Sequence, residues 1–207
     1  MPSSYTTLEA ADLDTATAYR LLVGAVVPRP IAWITTRSAA GVVNAAPFSS
    51  YNFVAHSPPM LAVNIARREG ELKDTARNIV ETGEFVVNVA TFDLMETMHG
   101  CSAEFTPDES EAEALGIGLA PSRHVKPPRV AASPVQMECR LAHTLPLGRG
   151  INTLYIGEVL AFHLSSDVFD GRYIDSVKMR PIARLGGPLY AELGAIHNRP
   201  QLQKPPR

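Results

Sequence analysis

Along most of this chain, strand-length apolar runs follow one another with almost no helix between them. "IAWITTR" (31–37) and "GVVNAAPF" (41–48) flank "SAAG", which is hairpin punctuation. "PPMLAVNIA" (58–66), opened by Pro58 and Pro59, reads as a third strand, and "EFVVNVA" (84–90) as a fourth. "VQMECRLAHTL" (135–145) and "INTLYIGEVLAFHLS" (151–165) are two long strands joined by the glycines of "PLGRG". Parallel α/β sheets need a helical crossover between successive strands, and here the strands mostly lack 10–15-residue helices between them. A doubly wound parallel sheet is therefore disfavoured. The pattern predicts a mainly β fold with peripheral helices, its antiparallel strands closed into a barrel.

Residues 71–83, "ELKDTARNIVETG", place Leu72, Ala76, Ile79 and Val80 on one face, an amphipathic helix stopped by Gly83. Residues 12–24 predict a short helix, with Asp14 as N-cap and Gly24 as its close. Residues 92–118 turn helical and acidic, with Asp108, Glu109, Glu111 and Glu113 close together. They read as a solvated helix face or as a flap over a pocket. "KPPRVAASP" (126–134) is a proline-rich connector. Residues 197–207 read as a loose C-terminal tail, so the domain is expected to span 1–196.

Several function classes drop out. The formal net charge is −2 and no basic stripe is visible, so no nucleic acid partner is expected. The N-terminus lacks a basic segment followed by an apolar one, and no apolar run approaches the roughly 20 residues of a membrane span. A cytoplasmic location follows as an expectation. Cys101 and Cys139 fit a reducing compartment as small core residues. The six histidines are scattered without metal-binding spacing, so no metal site is expected. There is no G-x-S-x-G and no G-x-G-x-x-G after a strand.

Two short stretches remain. Lys73-Asp74-Thr75 opens the second helix, where unpaired N–H groups and a partial positive charge favour a phosphate. Lys73 would add a full charge, Thr75 a hydroxyl, and Asp74 would cap the helix. Ser49, Ser50, Tyr51 and Asn52 follow the second strand of the hairpin as hydroxyl and amide donors at a barrel rim; Arg29 is a further rim candidate. The bland alternatives are a capped helix with a surface lysine, and a turn. Trp33 is read as core, sharing a strand face with Ile31.

In order and spacing, "RPIAWITT", "GVVNAAPFSSYNFV", "SPPMLAVNI", "KDTARNIVETGEFVVNV", "VKPPRVAASPVQMECRL", "TLYIGEV" and "RPIARLGGPLY" together resemble the flavin reductase-like family. The resemblance covers about residues 18–192. It implies an FMN-binding split barrel, dimeric, with FMN in a groove at the subunit interface. Arg29, Pro30 and Ile31 would lie along the flavin, Ser49, Ser50, Tyr51 and Asn52 at its ring and ribityl chain, and Lys73, Asp74 and Thr75 at its phosphate. The block Arg184 to Tyr190 would approach the flavin or the partner subunit. Hydride would be accepted by flavin N5, so no catalytic side chain is expected.

One position departs from the family pattern. Its well-known reductases carry G-D-H-T just before the I-G-E-V strand, with the His implicated in NAD(P)H binding; this chain has Asn152 there. Asn152 and Tyr190 are the expected substrate-binding residues. The leading expectation is an NAD(P)H-dependent, FMN-binding flavin reductase, serving a partner monooxygenase. The alternatives are a non-catalytic FMN carrier or electron-transfer flavoprotein, and a scaffold that has lost its ligand.

Overall fold

The computed structural model describes residues 4–199; positions 200–207 of the expected tail lie outside the described residues. The chain enters through helix α1 (Thr15–Ala25) and short strand β1 (Arg29–Pro30). The hairpin β2 (Ala32–Arg37) and β3 (Val43–Phe48) follows, then β4 (Tyr51–His56) and β5 (Pro59–Ala66). Helix α2 (Asp74–Thr82) precedes β6 (Glu84–Val89). Short helices α3 (Met95–Gly100) and α4 (Glu111–Ala114) and the pair β7 (Leu119–Ala120) and β8 (Arg129–Val130) come next. The long strands are β9 (Val135–Leu147) and β10 (Asn152–Leu164). Helix α5 (Ser176–Met179), β11 (Ala183–Arg184) and β12 (Tyr190–Ala191) complete the elements.

Seven strands pair antiparallel in the order β3-β2-β6-β9-β10-β5-β4. β3 and β4 are opposite edges of this sheet, yet only Ser49 and Ser50 separate them in sequence. Three peptide units reach about 11 Å at most. Seven strands laid flat at a spacing of about 4.8 Å would be about 29 Å across. The sheet must therefore roll until its edges approach at that end. β3 and β4 share no ladder among the described residues, so the barrel is split at this seam. The mainly β, split-barrel architecture expected from the sequence is the one observed.

Strand alternation builds two cores. Ala32 and Ile34 face the barrel interior with Val63, Phe85, Val87, Met137, Cys139 and Tyr155, and α2 adds Ala76 and Ile79. Ile31 and Trp33 take the other face and pack with Met98, Cys101, Val130 and Ile182. Trp33 is fully buried there, a core residue as its strand position predicts. Both cysteines are free and buried, and burial pushes the Cys101 thiol up to about 11. On the outer side of β9, buried Glu138 accepts the N–H groups of Arg123 (2.7 Å) and His124 (2.6 Å). His163 Nε2 lies 2.6 Å from the same carboxylate. These contacts pin the connector before β8 to the barrel wall.

Four local expectations change. Asp14 does cap α1, accepting from Thr17 N–H at 2.7 Å, but the helix runs through Gly24 to Ala25. Asp74 is the first helical residue of α2 rather than its cap; the cap position is Lys73, and Asp74 pairs with Arg77. The "SSYN" run is a turn only at its two serines, because Tyr51 already starts β4, which the hydroxyls concealed. The acidic segment is not a solvated face throughout: Glu111 is buried, with 5% exposure.

Gly157 in β10 has no room for a side chain, since a Cβ there would stand 2.4 Å from the tip of the buried Phe85 ring. Gly157→Ala is expected to cost about 1–3 kcal/mol by overpacking. The measurement is a lowered denaturant midpoint with unchanged slope. A wild-type midpoint would mean that Phe85 moves aside freely.

Candidate functional site

Two adjoining cavities meet along Pro47, Phe48 and Ser102. The larger, about 420 Å³, lies between the end of β3, the chain entering α2 and residues 101–107. The smaller, about 280 Å³, lies between Arg29, Ile31, α3 and the segment from β11 to β12. Phe48 is the last residue before the two-serine link, so the barrel seam and the groove share a wall. Residues within 101–107 form part of a wall of the larger cavity, and Glu111 of the acidic group lines it as well.

The larger cavity is built around the start of α2. The chain turns tightly before it, where Arg68 and Glu71 exchange backbone hydrogen bonds at 2.9 and 2.8 Å, with Glu69 and Gly70 both at positive φ. The first intrahelical bond runs from Arg77 N–H to Lys73 C=O at 2.9 Å. The amides of Asp74, Thr75 and Ala76 therefore have no acceptor within the helix. Three cations line this cavity. Arg68 pairs with Glu104 and Arg77 with Asp74, whereas Lys73 has no carboxylate partner among the described residues. Its ammonium lies 6.0 Å from the Phe48 ring centroid. Burial, and secondarily the charge of Arg68, holds its pKa below the ordinary lysine value. A half-buried ammonium without a counter-ion, beside open helix amides, is an anion receptor.

A buried polar network fixes that helix start. Asn44 Oδ1 accepts from the Thr75 hydroxyl at 2.6 Å and from the Thr36 hydroxyl at 3.2 Å. Asn78 donates to the Thr36 hydroxyl at 3.0 Å. Asn44 in turn donates to Glu111 Oε1 at 2.6 Å, and Ala45 N–H donates to Oε2 at 2.9 Å. The Thr75 hydroxyl is thus committed to the protein, leaving its backbone amide toward the helix start. Burial raises the pKa of Glu111, against the opposing effect of the hydrogen bonds it accepts.

The smaller cavity holds Arg29, with 9% exposure. Its guanidinium donates to the carbonyls of Val23 (2.5 Å), Val26 (2.9 Å) and Leu185 (2.9 Å), and more weakly to Ser49 Oγ (3.4 Å). It neutralises the C-terminal end of α1 and ties it to the turn after β11. Gly186 crosses over Gly24 so closely that a Cβ would meet the Gly24 Cα at 3.4 Å. On the opposite wall His99 Nδ1 and the Tyr190 hydroxyl are 2.9 Å apart, and the Arg184 guanidinium lies 4.6 Å from the Tyr190 ring centroid.

The predicted residues divide accordingly. Arg29, Ile31, Ser49 and Tyr190 line the smaller cavity, and Lys73, Asp74 and Thr75 the larger. Pro30, Ser50, Tyr51, Asn52 and Asn152 line neither. The Ser50 carbonyl accepts from Asn64 N–H at 2.8 Å, and Tyr51 packs against the barrel core, where burial raises its phenol pKa. Asn52 Oδ1 accepts from Phe53 N–H at 2.9 Å. Asn152 opens β10 opposite Ala66. Sequence reasoning missed Asn44, Glu111 and His99 as individual parts of the groove. Asn44 left a trace, a lone amide in an apolar strand. The meeting of His99 with Tyr190 left none, because they are 91 positions apart.

Comparison with known proteins places this geometry. The family described as "Flavin reductase like domain" matches residues 23–181. The uncharacterized protein YwrF of Bacillus subtilis is 43% identical over 192 residues, 90% of this chain and 94% of that protein. The structure of nitrilotriacetate monooxygenase component B from Bacillus cereus superposes with a TM-score of 0.92 at 33% identity, covering 95% of this chain and 100% of that one. That of the 2-nitrobenzoate 2-nitroreductase NbaA from Pseudomonas fluorescens does so with a TM-score of 0.83 at 32% identity, covering 97% and 96%.

The Glu111 anchor gives the groove a measurable pH response. The folded state holds the Glu111 proton at pH values just above 4.5, where the unfolded chain has lost it. Stability therefore falls as pH rises through that window. Glu111→Gln is expected to flatten this part of the stability–pH curve, read from denaturant midpoints at several pH values. An unchanged slope would mean that Glu111 titrates as an ordinary carboxyl.

Proposed function

We propose, from the premise that this chain belongs to the flavin reductase-like family, that it binds FMN in the groove and acts as an NAD(P)H-dependent flavin reductase. The observation that carries the reading is Lys73, a half-buried ammonium with no carboxylate partner among the described residues, beside the open amides of α2. This donor set suits the dianionic phosphate of a mononucleotide. Lys73 and the backbone amides of Asp74 and Thr75 would hold the phosphate, while Asn44 and Glu111 keep the helix start in place. Arg29, Ile31 and Ser49 line the adjoining cavity, on the side proposed for the ring; Pro30, Ser50, Tyr51 and Asn52 would shape the rim through the backbone. The chemistry FMN supplies when bound is hydride acceptance from a nicotinamide. The chain's own task is then to bind, orient and exclude water.

A homodimer is part of the proposal. α1 buries none of its residues, and Tyr19 and Leu22 stand exposed on it. β4 is an open edge carrying Phe53 at 70% exposure. Both surfaces are of the kind a second copy covers. Component B is by name part of a monooxygenase, which supports a partner monooxygenase that receives reduced flavin from this chain. NbaA is by name a nitroreductase, so direct reduction of a small organic acceptor is the variant to hold against it. The carrier reading draws on Asn152, which lines neither cavity. Anaerobic mixing of the FMN-loaded protein with NADH and NADPH separates the two: bleaching of the visible flavin band supports a reductase, and its absence with both favours a carrier.

Lys73→Ala is expected to weaken FMN binding roughly tenfold to a hundredfold, the worth of a charged hydrogen bond of about 1.5–3 kcal/mol. The thermal midpoint of the FMN-free protein should not fall. Unchanged affinity in a fluorescence titration would remove Lys73 from the site.

A further inference from the structure

The smaller cavity is lopsided in charge. The chain as a whole carries a net charge of −2, yet no Asp or Glu lines this cavity among the described residues, whereas Arg29, Arg184 and His99 do. The two arginines stand directly opposite each other in the ladder between β1 and β11. Like charges facing across a strand pair destabilise it. Neither arginine has a carboxylate at ion-pair distance among the described residues. Arg29 is spent on three carbonyls and a serine. Arg184 is not: its one hydrogen bond among the described residues runs from Nη2 to the Gly187 carbonyl at 2.8 Å. Its guanidinium lies 4.6 Å from the Tyr190 ring centroid and keeps further N–H groups. Tyr190 is itself oriented by His99, through the 2.9 Å contact and an edge-on ring packing at 82°. Ile31, Pro47 and Phe48 add an apolar lining.

An apolar lining beside a guanidinium without a counter-ion suits a flat ring that acquires negative charge. Oxidised flavin is a neutral ring. Hydride transfer from a nicotinamide adds two electrons and one negative charge, which N1 and O2 take up unless a proton follows. From this juxtaposition we infer that the smaller cavity holds the flavin ring preferentially as its reduced anion, with Arg184 as the counter-charge. This role for Arg184 rests on the FMN reading above. The phosphate carries the same charge in both oxidation states, so Lys73 in the larger cavity serves both alike, and a preference between them comes from the cavity of the ring. A fixed cation where charge develops also lowers the barrier to hydride transfer. Arg184 is thereby a cofactor-tuning residue as well as part of the wall.

The test compares the affinity of the protein for oxidised FMN and, under anaerobic conditions, for dithionite-reduced FMN. The same ratio is read independently as the midpoint potential of bound against free FMN. Wild type is expected to bind reduced FMN roughly tenfold more tightly or better, which places the bound potential about 30 mV or more above that of free FMN. Arg184→Met should weaken reduced FMN by roughly tenfold, the lower end of what a charged hydrogen bond is worth, and change oxidised FMN by less than about threefold. Arg184→Lys, which keeps the charge without the planar fork, should retain part of the preference. Arg184→Gln, which keeps a polar end without the charge, should lose it as Arg184→Met does, and decides the matter if Arg184→Met does not fold. Lys73→Ala should weaken both forms by the same factor and leave the potential in place. A merely structural Arg184 would likewise weaken both forms alike. An unmoved potential in Arg184→Met, or wild-type binding of reduced FMN no tighter than of oxidised FMN, therefore overturns the inference while the FMN reading stands. If the wild type binds FMN in neither form, the cofactor reading fails and this role of Arg184 falls with it.

Discussion

Two serines set the geometry of this protein. Ser49 and Ser50 are all that separates β3 from β4, and those strands are the opposite edges of a seven-stranded sheet. A link that short leaves the sheet no choice but to roll up. Because the two edges form no ladder with each other among the described residues, the closure leaves a seam. Phe48, at the lip of that seam, becomes the shared wall of two cavities. The site is a by-product of how the barrel shuts.

The charges around the groove follow from the same arrangement. Most cations there are already used: Arg68 and Arg77 by carboxylates, Arg29 by the end of α1 and the turn after β11. Lys73 and Arg184 are the exceptions, one in each cavity. A cation brought into a partly desolvated groove without a counter-ion costs stability unless an anion arrives. Two such residues facing one groove are more informative than a surface lysine, whose charge water screens at little cost.

Holding Lys73 in place falls to a network of buried side chains, of which Asn44, Thr75 and Glu111 line the same cavity. Asn44, Thr75, Thr36, Asn78 and Glu111 form an unbroken run of hydrogen bonds among β2, β3, α2 and α4. Every member is buried and partnered, which fixes one arrangement where an apolar contact would allow several. The helix start is therefore set by the strand before the seam, and the two halves of the groove share one frame.

Period-two alternation in β2 separated Ala32 and Ile34 from Ile31 and Trp33, and the two cores bear that division out. The amphipathic spacing of Leu72 to Val80 and the stop at Gly83 located α2, whose C-cap is left-handed at Gly83. These features are local: a side chain's face depends on its immediate neighbours along the chain, so the sequence alone determined them, together with the antiparallel barrel and the placement of Lys73 at a helix start. The tertiary structure alone decided that Tyr51 turns into the core, that the Thr75 hydroxyl is spent on Asn44, that Glu111 leaves solvent, and that His99 meets Tyr190 beside Arg184. Each of these joins residues dozens of positions apart, and the distance between such residues is fixed by how the sheet rolls and what it buries, which no short stretch of sequence contains.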